Sequence, residues 1–347
     1  MRALTWHRPL LLLAAVTTPF IVISIVGLVV DDRVLAGAPI WLKPSKFAVS
    51  IVIYAVTWSW LMAYLPNNRL TRWSATAIAV ILAIEYVIIV GQVLRGRQSH
   101  FNVATPLDTV LWGTMGTSIA LLWIANLVLA FFLLRQQIGD SSVTWAVRAG
   151  TVISLAGIAV AFLMTGPTPE QLASVSNGTF AGIIGGHSVG VADGGPIMPV
   201  TGWSTTGGDL RIPHFIGIHA LQALPLLALA LASLATRTPV LRSETVRTQL
   251  VLVTSAGYAG LTGLTLWQAF ARPTSDPARR AYPAGGGRAG GSRRGGRHRR
   301  DGQRRVSAPK TRLTSSRRSS IQSPSIPGMR RLQRRGHQLS HDQAEEK

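Results

Sequence analysis

The chain contains no cysteine, so disulfide staples, thiolate metal sites and cysteine nucleophiles are excluded. Charge is scarce as well: Asp, Glu, Lys and Arg make up 14% of the 347 residues, against roughly a quarter in an ordinary soluble domain. The scarcity is uneven. Residues 1–271 carry 15 Lys and Arg against 9 Asp and Glu, whereas residues 272–347 carry 20 against 5. The second segment therefore supplies +15 of the formal +21. No H-E-x-x-H occurs, and neither DGGP nor GGDLR follows a strand or has P-loop spacing, so the zincin and nucleotide signatures are missing.

What fills residues 1–271 is aliphatic sequence. Seven apolar stretches lie near Pro9–Val30, Lys46–Leu65, Trp73–Leu94, Leu107–Leu134, Trp145–Thr165, His214–Ala235 and Gln249–Phe270. Each is long enough to cross a hydrocarbon core of roughly 30 Å as a helix. They lack the polar stripe that a surface helix of a soluble fold would show. The expected fold is an all-α, polytopic membrane bundle of about seven transmembrane helices over residues 1–271. Arg2 and Arg8 ahead of the first run, with Ala36-Gly37-Ala38 beyond it, imitate a signal peptide. The run is too long for one, and an uncleaved first span is expected.

From Arg272 the sequence turns Arg/Gly/Ser/Pro-rich, as in GGGRAGGSRRGGRHRRDGQRR. Such a composition cannot bury enough surface to fold, so residues 272–347 read as a disordered basic tail. RNA or anionic lipid would suit its charge. Without interleaved aromatics there is no stacking platform for bases, which argues against a nucleic-acid partner. A solvated tail without a partner, or a stretch read from a shifted frame, fits the composition as well.

The loops fall into two sets. The N-terminus and the loops after spans 2, 4 and 6 hold nine arginines, and those after spans 1, 3 and 5 hold six basic residues. Positive-inside logic therefore favours a multi-pass protein of the cell membrane with a cytoplasmic N-terminus. The second set carries the chemistry: WLKPSK, RGRQSHFNVATPLD and the long excursion from His187 to Gln222. His100, His187, His214 and His219 all lie on or near this face, and a single site open to it is expected.

Neutral imidazoles are common transition-metal ligands and can ligate haem. His100, His187, His214 and His219 are accordingly candidate ligands for haem or a transition metal. His214 and His219 are five apart, about 140° around a helix rather than on one face. Asp108, Asp193 or Asp209 could complete a zinc-type shell with an open position. Lys43, Lys46, Arg95, Arg97, Asn102, Asp108, Asp209 and Arg211 are candidate contacts to a small anionic group, with helix N-termini adding N–H donors. Thr105-Pro106-Leu107-Asp108 has the form of a capped helix start, in which Asp108 merely caps. Asp209 and Arg211 can equally pair with each other. Glu85 sits mid-span with Gln92 seven residues on, where a carboxylate often marks a proton or substrate path. Pro225 should kink the sixth span about one turn below His219.

The runs GAPIWLKPSKFAVSI, RGRQSHFN…TPLD and GDLRIPHFIGIHALQALP resemble an uncharacterised family of bacterial multi-pass membrane proteins of about seven spans. That resemblance implies a helical membrane protein and no chemistry. A likeness to the seven-helix zinc amide hydrolases related to ceramidases is poor, since their HxxxH pair on the last helix has no counterpart here. Three functional expectations follow. The first is a membrane-embedded binding or redox protein with a histidine-rich metal or haem site. The second is a proton-coupled transporter of an anionic solute, and the third a metal-dependent membrane hydrolase.

Overall fold

The computed structural model of the chain describes residues 6–271; the basic segment 272–347 lies outside the described residues. Long helices dominate: α1 (Arg8–Val30), α2 (Leu42–Leu61), α3 (Arg69–Leu94), α4 (Pro106–Leu133), α5 (Ser141–Ala159) and α9 (Glu244–Ala271). A short α6 (Pro169–Ser176) interrupts the longest loop, and α7 (Arg211–Ile218) and α8 (Ala220–Leu234) are joined at an angle of 42°. Among the described residues six helices are long and apolar enough to cross a membrane, and α7–α8 taken as one bent span makes seven. Large apolar side chains such as Val29, Trp73 and Val87 point outward, as expected where the surrounding solvent is lipid.

Helix ends follow the local chemistry. Asn68, Thr105, Asp140 and Thr168 each cap the following helix by accepting from its first turn. The second span begins earlier than the hydropathy suggests: α2 starts at Leu42, which places Lys43, Pro44 and Lys46 inside the helix rather than in a loop. Pro44 is compatible with this because its missing N–H falls in the first turn, where no intrahelical acceptor exists. In the sixth span the break falls at His219, between α7 and α8, one and a half turns ahead of Pro225.

The core is built by α5, which packs on α4, α7, α8 and α9, and by α2, which packs on α1, α3 and α8. Where α5 meets α7 the two backbones touch. A Cβ on Gly157 would lie 2.5 Å from the carbonyl carbon of Gly217, so only glycine fits that crossing. On one end of the bundle, β1 (Val34–Leu35) pairs with β2 (Ala38–Pro39), and β3 (Ser188–Val189) pairs with β4 (Gly208–Asp209). The loop after α3 is joined to the loop after α5 through Val103 N–H to Gly182 O (2.8 Å) and Ile184 N–H to Phe101 O (2.8 Å). Lys46 reaches the same roof through the carbonyl of Thr201 at 2.6 Å. The three polar loops thus converge on one face.

Candidate functional site

The first turns of α2 and α7, the loop after α3 and the 165–210 excursion converge, and the space among their polar side chains is the candidate cleft. Lys43, Lys46, His100, His187, Arg211 and His214 line it, all half-buried. The Lys43 ammonium stands in electrostatic reach of Arg211, Glu85, Lys46 and Asp193, and His100 in reach of Lys43, His187 and His214.

Each histidine is oriented by a partner. His214 Nδ1 lies 2.8 Å from the carbonyl of Gly157, so that nitrogen donates and Nε2 is left as an acceptor. The backbone contact between Gly157 and Gly217 is what brings this carbonyl to the ring. His187 Nδ1 lies 2.7 Å from Asp193 Oδ2, and Asp193 also accepts from the His187 and Ser188 amides. His100 Nδ1 meets Ser99 Oγ at 3.1 Å. Its ring is held among Phe47, Phe101 and Trp112 with centroids 5.7 to 6.0 Å away. His219 uses both nitrogens, one with Gln222 Oε1 and one with Ser50 Oγ, each at 3.3 Å.

Phe101 has a φ of 65°, a left-handed conformation unfavourable for an aromatic residue. It is buried at 4% exposure with its ring 4.9 Å from that of His187. Strain of this kind persists only where surroundings over-determine it; here the hydrogen bonds to Gly182 and Ile184 on either side do so.

Charge in the loops is tuned by burial. His100 is held well below the ordinary imidazole value by burial, with Lys43 and the neighbouring histidines adding to it. Burial also lowers His187, although its bond to Asp193 works the other way. For Asp193 burial alone would raise the carboxyl; the bond to His187 and the amide donors outweigh it and hold the group below the usual carboxylate range.

Several residues expected to meet a ligand are engaged within the protein instead. Asp108 is fully buried and accepts from Gln92 Nε2 (2.9 Å), Arg95 Nη1 (2.9 Å) and Thr105 Oγ1 (2.7 Å). This cluster clasps the end of α3 to the capped start of α4. Asn102 is buried and spends its amide on Gln98 O and Ala104 N–H. Arg97 is exposed. Asp209 and Arg211 form a bidentate pair, with the shortest contact 2.6 Å, which fixes the guanidinium at the rim of the cleft.

Among the described residues, two ionisable groups in or beneath the cleft have no such partner. Among the described residues no hydrogen bond or ion pair engages Lys43 Nζ, which stands 5.9 Å from the centroid of the Phe47 ring. Glu85 is 2% exposed, and neither carboxylate oxygen has a hydrogen-bond partner. Gln92, on the same helix face, belongs to the Asp108 cluster. Among the described residues no group of three or more His, Asp or Glu side chains is arranged to hold a metal ion.

Sequence reasoning did not single out Ser50, Gly157, Gln222 or Thr201. Gln222 follows His219 by three residues, a spacing that places neighbours together on a helix. The role of Gly157 depends on a crossing that no local pattern announces. No protein-family model, curated protein or solved structure matches the chain.

Proposed function

We propose that the chain is an integral protein of the cell membrane that binds a small anionic solute in this cleft and carries it together with a proton exchanged at Glu85. The observation that carries the reading is the uncommitted ammonium of Lys43 above the unpartnered Glu85. Arg211 is already held by Asp209 and His187 by Asp193. Their orientation is therefore set before a ligand arrives, which reduces the ordering cost of binding. Lys43 is left to meet the incoming negative charge in surroundings poorer in water than bulk, where the attraction is stronger.

In this reading the bundle has seven spans, α7–α8 being one broken span, and the N-terminus is cytoplasmic, so the cleft faces outward. The excess of arginine on the opposite loops supports that orientation. A helix interrupted beside a polar site supports transport, since broken spans supply backbone groups to substrate sites. A metal or haem centre has less support. It needs convergent donors, and His219, the axial candidate on α7–α8, has both ring nitrogens occupied.

The test is a binding titration of the protein in nanodiscs with acetate, inorganic phosphate and citrate as probes, followed by uptake into proteoliposomes under an imposed proton gradient. Lys43→Met should abolish binding of the probe that wild type retains, while Arg97→Gln should leave it intact. Glu85→Gln should keep binding but remove the dependence of uptake on the gradient. Unchanged probe affinity in Lys43→Met would sink the proposal.

A further inference from the structure

The excursion that roofs the cleft includes a hairpin without charge, since no Asp, Glu, Lys or Arg occurs between Asp193 and Asp209. Ile197 bridges Ser204, Met198 N–H donates to Trp203 O at 2.8 Å, and Gly202 N–H donates to Met198 O at 2.9 Å. The turn is therefore Pro199, Val200 and Thr201. Its tip faces outward: Met198 and Pro199 are exposed, and Val200 is 82% exposed. Val200 has a φ of 66°, and the Thr201 N–H closes the turn around it by donating to Pro199 O at 2.7 Å. This is the rare, strained form of a three-residue turn, and a β-branched side chain is poorly suited to it. Within the chain, nothing packs on Val200 to offset that strain.

The position of the tip is set by α2. Lys46 Nζ donates to Thr201 O at 2.6 Å, and a Cβ on Gly202 would stand 3.1 Å from Leu42 Cδ2. Leu42, Lys46, Val49 and Ile53 follow one another at helical spacing down one face of α2, and on that face Val49 and Ile53 are exposed. The hairpin thus stands at the head of a lipid-facing stripe. The span from Leu42 to Tyr64 has 23 residues, about 35 Å at 1.5 Å per residue, against roughly 30 Å of hydrocarbon. The hydrocarbon therefore begins within about one turn of Leu42, level with the hairpin. Trp203 packs its ring 6.1 Å from that of the exposed Phe215, and tryptophan favours this depth.

We propose that the tip formed by Met198, Pro199 and Val200 inserts into the bilayer leaflet on the cleft side, beside the lipid-facing stripe of α2. Lipid is the occupant because the tip overhangs a face that lipid already covers and carries no charge to desolvate on leaving water. Seated there, the hairpin ties the roof of the cleft to the membrane surface. The inference requires only that α2 crosses the bilayer and is independent of what the cleft binds.

The absence of cysteine makes the test direct. A nitroxide label is attached to Val200→Cys in the full-length protein reconstituted in phosphatidylcholine vesicles. Its collisions with oxygen, which concentrates in lipid, are compared with those of a neutral nickel chelate, which stays in water. Ile53→Cys on the stripe and Ala192→Cys in the exposed loop ahead of the hairpin supply the two limits. The label at 200 should resemble that at 53, losing most of the nickel accessibility seen at 192 while gaining oxygen accessibility. Met198→Cys should behave likewise, and decides the matter if a label at 200 disturbs the turn. Nickel accessibility at 198 and 200 equal to that at 192 overturns the proposal. So does spin–spin broadening at 200 that vanishes on dilution with unlabelled protein, which assigns the tip to a second copy.

Discussion

Replacing Gly157 by alanine tests the crossing on which the cleft depends. The new Cβ would lie 2.5 Å from Gly217 C and Ile218 N and 2.6 Å from Gly217 Cα, where ordinary contact begins at 3.4 Å. Every obstructing atom is backbone, so no side chain can rotate away and α7 must retreat by about 1 Å. Overpacking of this kind costs about 1–3 kcal/mol. The retreat also stretches the 2.8 Å bond from His214 Nδ1 to Gly157 O, for a further loss of about 1 kcal/mol. A total near 2–4 kcal/mol is expected in reversible unfolding of the detergent-solubilised protein, together with loss of probe-anion binding as His214 leaves the cleft. Gly260→Ala is the control, because its Cβ meets nothing within 4 Å. There alanine's higher helix propensity should make the change neutral or stabilising by up to about 1 kcal/mol. Equal stabilities of the two variants would refute the crossing. A destabilised Gly157→Ala that still binds anion normally would remove His214 from the site.

Two further outcomes follow from the loops. Asp108→Ala leaves buried Gln92 without its acceptor and removes the Asp108 side chain from the capped start of α4, while the exposed Arg95 is left to solvent, so a loss of about 1–3 kcal/mol is expected in the same unfolding assay; unchanged stability would show the clasp to be dispensable. For pH, His100 and His187 both titrate lower in the folded chain than the ordinary 6.5. Below 6.5 the unfolded chain therefore binds protons that the folded chain refuses, and stability should fall as pH drops through that window. His100→Gln should flatten the melting-temperature profile between about pH 7 and 5.5, and an unchanged slope would contradict the assigned environment.

Much of the architecture was legible because lipid imposes a simple rule: every backbone group must be satisfied within the span, so length and hydropathy suffice. The capped start of α4 at Thr105 was legible too, since its signal is local. The start of α2 was not, because Lys43 and Lys46 depress the hydropathy of a turn that is helical nonetheless. The convergence of the polar loops could be read from where the histidines and basic residues gather. Which of those residues remain free for a ligand could not. The Asp209–Arg211 pair is local and was legible as an alternative, but Asp108 is spent on Arg95 and Gln92, and His214 is aimed by a carbonyl 57 residues away; these last pairings exist only once the helices pack.

The joint between the loops after α3 and α5 has a bearing on how the chain can vary. It is made by main-chain groups, Val103 with Gly182 and Phe101 with Ile184, and such bonds are indifferent to side-chain identity. Substitutions on either strand of the joint can accumulate separately, provided they tolerate the local backbone. A one-residue insertion or deletion is different, because it shifts the register and turns inward-facing groups outward. The two loops are therefore free to differ in sequence, whereas the spacing of the four bonded groups at the joint is fixed.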